Sequence, residues 1–421
     1  MNDEKEQALS LRANIVWNTA GNFIYLFCQW LLTYVVVKSL GFASAGVFSL
    51  AMTVANSFSV VATYTMRNFQ TSDVEDVFCD RAYINSRILT CSIAFVCCVC
   101  FSLVNDYGFY VSACISVYMI FKISEALSDV YQGILQKSMR LDYVGISFVV
   151  KGIATLLLFY AAIKLTGSLL FAICALAVCS FLIVLVFDRK HALEFAKKAT
   201  PARNATKDLL IACLPIAIYG FLLNVVGQAP RYFIESLLGD QALGFYASVA
   251  MPVVIVQVSA SFIFSPLVTP LAASVSANEY RRYFAMIAKV LFFIALLAVF
   301  AFFAAFTVGN PILVLFFGNE ISDYANLLGP LVGCSIATAI VWFLSAVLVI
   351  QRDMKSLVLL SAIACAIVII GCVPAINSWG MNGASCVQII ALGFFSVGCL
   401  ARILFYARTA KSHGANPILR R

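Results

Sequence analysis

Residues 108–140 read GFYVSACISVYMIFKISEALSDVYQGILQKSMR. At about 100° per residue, Tyr118, Lys122, Glu125, Asp129, Gln132, Gln136 and Arg140 fall within roughly 80° of one another on a single helix, and the rest of that helix is largely apolar. An ionised side chain near the middle of a bilayer costs about 2.5–3.5 kcal/mol on insertion scales. Lys122 and Glu125 are therefore not expected to face lipid, and the stripe predicts a polar space opposite it.

The whole chain supports a membrane setting. It is 62% hydrophobic and 11% charged, with a mean hydropathy of +0.96, whereas soluble domains carry about 25% charged residues. Apolar runs long enough to cross ~30 Å of hydrocarbon lie near 14–37, 46–66, 84–104, 108–136, 142–163 and 167–187. Six more lie near 208–229, 243–273, 284–308, 325–350, 356–376 and 381–407. The segment 311–328 is too polar and broken to span. The expected fold is an all-α polytopic membrane protein of twelve transmembrane helices in two six-helix bundles around a central cavity.

Twelve spans put both termini on one side. Of the 28 Lys and Arg, only Lys38, Lys164 and Arg231 sit at odd-numbered connections, and Lys122 and Lys151 lie deep within spans. The remainder cluster on the side of the termini, which the positive-inside rule makes cytoplasmic. The net charge of +8 is then mostly an orientation signal, and nucleic acid is not an expected partner.

Most of the 15 Cys lie inside apolar runs, as at Cys91, Cys97, Cys98 and Cys100, and behave as small hydrophobes. With only His191 and His413 besides, no metal site is expected, and no cofactor is called for. The run 15–37 is too long for a signal-peptide core and reads as a retained first helix.

The basic stretch 189–207 divides the chain near its middle and reads as a cytoplasmic linker between an N-terminal bundle (1–188) and a C-terminal bundle with its tail (208–421). An internal repeat supports this. Gly41 and Gly46, between the first and second spans, recur 198 residues later as Gly239 and Gly244, between the seventh and eighth. An even number of spans separates the copies, giving them one membrane orientation.

Other spans also have polar faces. Asn14, Asn18, Asn22, Tyr25 and Gln29 share one side of the first span, and Ser49, Thr53, Asn56, Thr63 and Arg67 one side of the second. Asn224, Gln228, Arg231 and Glu235 cluster on the seventh, and Tyr246 lies on the eighth. Single polar residues usually serve helix packing; stripes on several helices favour a hydrated cavity. The amides and hydroxyls suit sugar hydroxyls, and Lys122, Lys151 and Arg231 suit a phosphate. Lys122 lies about 21 Å along the helix from Gly108 and Asp129 about 31 Å. Lys122 and Glu125 are thus the intramembrane pair, serving either as an ion pair or in substrate or ion coupling. Asp129, Gln132, Gln136 and Arg140 form a cytoplasmic mouth. Lys151 is placed to neutralise Glu125 or Asp129 across helices.

Several motifs occur in order along the chain: 14–18 (NIVWN) with Gly21 and Asn22; 67–73 (RNFQTSD), then Tyr83 and Arg87; Gln136, 140–143 (RLDY) and Ser147; and 230–235 (PRYFIE) with 238–239 (LG) and 243–246 (LGFY). In these the chain resembles the polysaccharide transporter family, the bacterial oligosaccharide flippases of the multidrug/oligosaccharidyl-lipid/polysaccharide flippase superfamily, over nearly its full length. Leu141 stands where family members place Met.

The resemblance implies two bundles opening alternately to either side of the bacterial cytoplasmic membrane. It implies undecaprenyl-pyrophosphate-linked oligosaccharides or related lipid-linked glycans as substrates, with glycan polymerases or glycosyltransferases as pathway partners and membrane lipid around the chain. Arg67 and Arg140 would attract the headgroup at the inner mouth, and Lys122, Lys151 and Arg231 would meet its phosphate along the path. Two other readings compete. One is a cation-coupled multidrug antiporter of the same superfamily, binding Na⁺ or H⁺ at Glu125 or Asp129. The other is a membrane glycan polymerase or ligase, for which the long outer segment offers Glu320 and Asp323 but no His. A transporter rather than an enzyme is expected, with no catalytic residues.

Overall fold

Gly41 takes φ 83° and ψ 177°, which breaks the first long helix in two. The computed structural model describes residues 11–73, 77–196, 204–264, 267, 270–271, 274–275 and 279–413. Among them no strand occurs. The helices of the first part are α1 (Leu11–Thr63), α2 (Met66–Ser72), α3 (Asp80–Val104), α4 (Gly108–Lys137), α5 (Leu141–Thr166), α6 (Leu169–Ile183) and α7 (Arg189–Phe195). A π turn, Val184–Asp188, joins α6 to α7. Then follow α8 (Ala205–Leu238), α9 (Asp240–Phe264), α10 (Tyr280–Thr307), α11 (Gly309–Phe317), α12 (Leu328–Ile350), α13 (Met354–Trp379) and α14 (Met381–His413).

Eleven helical stretches of the described residues are long and apolar enough to cross a membrane. The first, Val16–Thr63, has 48 residues, about 72 Å of helix at ~1.5 Å per residue and more than twice the ~30 Å of hydrocarbon. The break at Gly41 makes it two crossings, which brings the described spans to the expected twelve. The chain is a polytopic all-α membrane protein. The polar segment after α10 forms the nine-residue α11 and a 3₁₀ stretch, Asn319–Leu327, in place of a span of its own.

The chain divides into two compact units, Met1–Phe221 and Leu222–Arg421, with the boundary inside α8. In the first, α1 lies against α5, α4 and α3, and α6 packs on α4 and α5. Backbone meets backbone where α1 crosses α5. A Cβ added at Gly21 would stand 2.6 Å from Gly145 Cα, and one at Gly145 would overlap the Trp17 carbonyl. Small residues allow this approach, and close packing rather than the hydrophobic effect holds helices together in lipid. At one end of the unit Met66, Tyr83, Val130, Leu135, Leu209 and Cys213 form a buried apolar core.

In the second unit α12 packs on α9, α10 and α14, and α13 packs on α14. The turns of the two units correspond. Gly41 (φ 83°) and Gly239 (φ 85°) both stand at the junction of a unit's first two long helices, and both adopt a conformation that L side chains resist. The α4–α5 turn has Met139 at φ 55°, and the α12–α13 turn has Arg352 at φ 56°, 213 residues on. In each turn the next amide reaches back five residues, Arg140 N to Leu135 O at 2.9 Å and Asp353 N to Leu348 O at 3.1 Å. The repeat read from the glycines thus extends to turns that lack glycine.

Candidate functional site

The polar stripe of α4 is met by α1, α2 and α3. Tyr118 is not part of a wet face: its ring is buried edge-on against Phe48 and Phe121, at centroid distances of 5.7 and 5.3 Å. One turn further, Lys122 Nζ lies 2.6 Å from Glu125 Oε2 and 5.4 Å from the centre of the Phe121 ring. Tyr25 of α1 donates its hydroxyl hydrogen to Glu125 Oε1. This carboxylate is therefore shared between a cation on its own helix and a phenol on α1.

Asp129, the next polar residue, is held between two arginines. Its Oδ1 lies 3.2 Å from Arg67 Nη1 and its Oδ2 2.9 Å from Arg87 Nη2. Arg67 also donates through Nη1 to Gln132 Oε1 at 3.0 Å, and through Nε and Nη2 to Gln136 Oε1 at 3.3 and 3.2 Å. The left-handed Tyr64 and Thr65, both at φ 50°, end α1 and aim α2 so that Arg67 reaches α4. Arg87 is fully buried and donates a further bond to the Ala62 carbonyl at 3.1 Å. The basic-residue pattern alone counts Arg87 as an orientation signal; the structure makes it a structural counter-ion. A clue lies in the sequence: Ser86, Arg87 and Thr90 recur at helical spacing, and all three are buried.

Lys151 does not neutralise Glu125 or Asp129, as the sequence led us to expect. Its ammonium lies 3.2 Å from Asp188 Oδ2 and 2.8 Å from Ser128 Oγ. The π turn at 184–188 brings Asp188 inward, although its position in sequence marks the end of a span. Ser128 donates to Asp188 and accepts from Gln132 Nε2 at 3.0 Å. A continuous chain of contacts thus runs from Lys151 through Ser128 and Gln132 to Arg67, Asp129 and Arg87. Four cations, Arg67, Arg87, Lys122 and Lys151, face three carboxylates, Glu125, Asp129 and Asp188, and each carboxylate has a cation within 3.2 Å.

Arg140 lies outside the spans, in the α4–α5 turn. Its Nε and Nη2 bind both oxygens of Asp142, at 3.0 and 2.8 Å, and its guanidinium stacks 4.5 Å from the centre of the Tyr143 ring. The hydrogen bonds to Asp142 raise its already high pKa, outweighing burial, and keep it charged. Asn14 fixes this turn from α1: its side chain donates to the Met139 carbonyl at 2.9 Å and accepts from the Leu141 amide at 2.8 Å.

The remaining amides of the first unit are less engaged. Asn18, Asn22 and Asn56 are half-buried, and their side chains make no hydrogen bond among the described residues. Gln29 Nε2 is buried without a partner there. In the second unit, Asn224, Gln228, Arg231 and Glu235 share a face of α8. Among the described residues Arg231 has neither an ion pair nor a hydrogen bond, and Asn224 Oδ1, Gln228 Oε1 and Glu235 Oε2 are buried without partners. Tyr246 is spoken for, since its hydroxyl pairs with Ser385 Oγ at 2.9 Å. The described residues hold no cluster of His, Cys, Asp or Glu fit for a metal.

No family model matches the chain. It is 22% identical over 314 residues to the capsular polysaccharide biosynthesis protein CapF of Staphylococcus aureus, covering 74% of this chain and 78% of that protein. Among solved structures it is similar to a mutant of the Vibrio cholerae MATE transporter VcmN, at 14% identity and a TM-score of 0.64, over 97% of this chain and 99% of that one. A multidrug resistance MATE transporter of the MOP superfamily aligns at 14% identity and a TM-score of 0.62, over 94% and 96% of the two chains. A MOP superfamily transporter from Pyrococcus furiosus aligns at 14% identity and a TM-score of 0.56, over 95% and 96%. The chain therefore has the fold of the MATE transporters of the MOP superfamily.

Proposed function

We propose that this protein is a flippase that moves a lipid-linked oligosaccharide, carried on undecaprenyl pyrophosphate, across the bacterial cytoplasmic membrane for surface polysaccharide synthesis. The observation that carries the reading is the α8 face. It holds a cation without a counter-ion, Arg231, beside the unspent acceptors Asn224 Oδ1 and Gln228 Oε1. Buried amide oxygens without a donor are costly unless a ligand completes them, and a half-buried cation without a counter-ion is open to an anion. A phosphate for Arg231 and sugar hydroxyls for the amides would do so. Asn18, Asn22, Gln29 and Asn56 offer the same kind of contact from the first unit.

The fold and the CapF relative support the same reading. The two bundles would open alternately, with residues 189–207 as a cytoplasmic linker and both termini in the cytosol. The headgroup travels inside while the tail stays in hydrocarbon. Within this scheme Lys151, Arg67 and Arg140 have their charges matched by Asp188, Asp129 and Asp142, and Lys122 by Glu125. We assign them to shaping and biasing the path, and Arg231 to holding the phosphate.

A cation-coupled multidrug antiporter, the competing reading, needs a carboxylate free to bind a proton, a sodium ion or a cationic drug. Glu125, Asp129 and Asp188 are each committed to a resident cation, so of the four carboxylates on these polar faces that reading would fall to Glu235, whose Oε2 is buried without a partner among the described residues. Deletion of the gene should leave lipid-linked oligosaccharide accumulating on the cytoplasmic leaflet, and Arg231→Gln should fail to relieve it at normal protein levels. Normal surface glycan without accumulation, in a strain with no second flippase, would refute the assignment.

A further inference from the structure

In the first unit a groove of about 780 Å³ opens where the end of α1 and the early turns of α3 and α8 come together. Its lining is sorted by depth. Thr206 and Lys207 stand on the first turn of α8, Asn204 directly precedes that helix, and Tyr64 directly follows α1. These polar groups thus all lie at helix ends. Leu89 and Leu214, by contrast, each lie nine residues past the first residue of their helices, about 14 Å along the axis, close to the depth of one leaflet of a ~30 Å hydrocarbon layer. With Ile211 they stand exposed, on stretches long and apolar enough to cross a membrane.

The groove is a flank of a firmly seated helix rather than a gap left by loose packing. On the inner side of α8, Leu209 and Cys213 belong to the buried core, and a Cβ added at Gly220 would come within 2.8 Å of Thr65 Oγ1.

The shallow end of the groove has donors to spare. Lys207 has no ion pair, and the side chains of Tyr64, Asn204 and Thr206 make no hydrogen bond among the described residues. An ammonium donates only, and the phenol, amide and hydroxyl can each donate as well. No carboxylate is among the described lining residues; Asp208, next in sequence to Lys207, is not one of them. Such an end suits the oxygens of an anion and offers no counter-charge to the ammonium of a zwitterionic headgroup. A free phosphate would meet Lys207, but it has nothing to set against Leu89, Ile211 and Leu214.

We propose that this groove holds an anionic phospholipid, its phosphate on Lys207 and Tyr64 and an acyl chain along Leu89, Ile211 and Leu214. The lipid belongs to the leaflet in which α8 begins and fixes the root of the helix that also carries Arg231. The proposal goes beyond the flippase reading and does not depend on it.

The purified full chain in nanodiscs of mixed phosphatidylcholine and phosphatidylglycerol would be photolabelled with either lipid bearing a diazirine in its acyl chain. The phosphatidylglycerol probe should label peptides containing residues 85–92 and 204–214 in preference to the phosphatidylcholine probe. Lys207→Gln should cut that preference about fivefold, and Tyr64→Phe should reduce it less. Ile211→Trp, which obstructs the apolar end from an exposed position, should lower labelling by both probes. Lys355→Gln, at an exposed lysine of the α12–α13 turn, should leave the preference unchanged. Unchanged thermal melting shows that each variant has folded. Equal labelling by the two probes would mean annular lipid only and would overturn the proposal. So would a preference indifferent to Lys207→Gln, one lost equally in Lys355→Gln, or displacement of the probe by inorganic phosphate or glycerol 3-phosphate, which would make the groove a site for soluble anions.

Discussion

Lys151 Nζ stands 3.2 Å from Asp188 Oδ2, with side chains 2% and 1% exposed, so neither charge has water to fall back on. Breaking such a pair from one side strands the other charge and typically costs about 3–5 kcal/mol, while replacing both partners with apolar groups is often neutral or stabilising. Lys151→Met alone should therefore lower the unfolding midpoint in detergent sharply, and Lys151→Met with Asp188→Leu should restore most of it. A double variant as unstable as the single one would show that Ser128 and Gln132, not the ion pair, hold α4, α5 and the π turn together.

Arg231 should behave in the opposite way. Because it has no counter-ion among the described residues, Arg231→Gln removes an unmatched charge and should leave stability unchanged or raise it by about 1 kcal/mol, while export falls. Arg231→Lys should retain part of the export, since a point charge still meets phosphate without the planar fork. Thermal melting and glycan export measured on the same preparations check both halves. A loss of stability in Arg231→Gln would make the residue a packing element.

The two kinds of glycine separate by mechanism. At Gly41 a Cβ would meet nothing within 4 Å, so Gly41→Ala pays only for the backbone at φ 83° and ψ 177°, roughly 1–3 kcal/mol. At Gly21 a Cβ would collide with Gly145, and Gly21→Ala should cost more than Gly41→Ala by forcing α1 and α5 apart. Denaturation midpoints of the two variants rank them directly, and the reverse order would contradict the observed crossing.

Acid should loosen the second unit at one identifiable place. Asp353, in the α12–α13 turn outside the spans, is pushed up by burial, but hydrogen bonds from Arg402 and Ser356 more than offset this and hold its pKa below the usual aspartate value. Arg402 Nη2 lies 2.7 Å from it. A lowered folded pKa contributes stability that is present above the unfolded value of about 3.9 and is lost as pH falls through the folded one. With Arg402 41% exposed, the effect should stay below about 1 kcal/mol. Asp353→Asn should flatten the pH dependence of unfolding below about pH 4 and leave it unchanged at neutral pH.

The number and order of crossings were legible because hydrocarbon imposes a length that apolar runs must meet. The Lys122–Glu125 pair was legible because three residues on a helix fix a neighbour. Partners across helices were not. Spacing within α4 says nothing about which side chain of α2, α3 or α6 will meet Asp129 or Lys151. Arg87 was hidden by its place near a span end, where a basic residue normally signals orientation. Asp188 was hidden because only a local π turn swings it inward, and no residue from Val184 to Arg189 announces that turn. The polar face of α8 could be read directly, since its residues lie on one continuous helix. That its groups are unspent emerged only from the fold.

The contact of Gly21 with Gly145 has a mechanical consequence. Where two backbones touch, no side chain is left to flex, so the inner arm of α1 and the facing part of α5 must move as one lever. If the chain works as the proposed flippase, any bending in its cycle would be displaced along α1 to Gly41, whose backbone already lies outside the helical basin. Spin labels at the exposed Phe23 and Val150 should keep a constant separation through the cycle, whereas labels on either side of Gly41 should not. The glycine that ends the inner arm would then be the fulcrum, and the glycines within it the clamp that makes a fulcrum necessary.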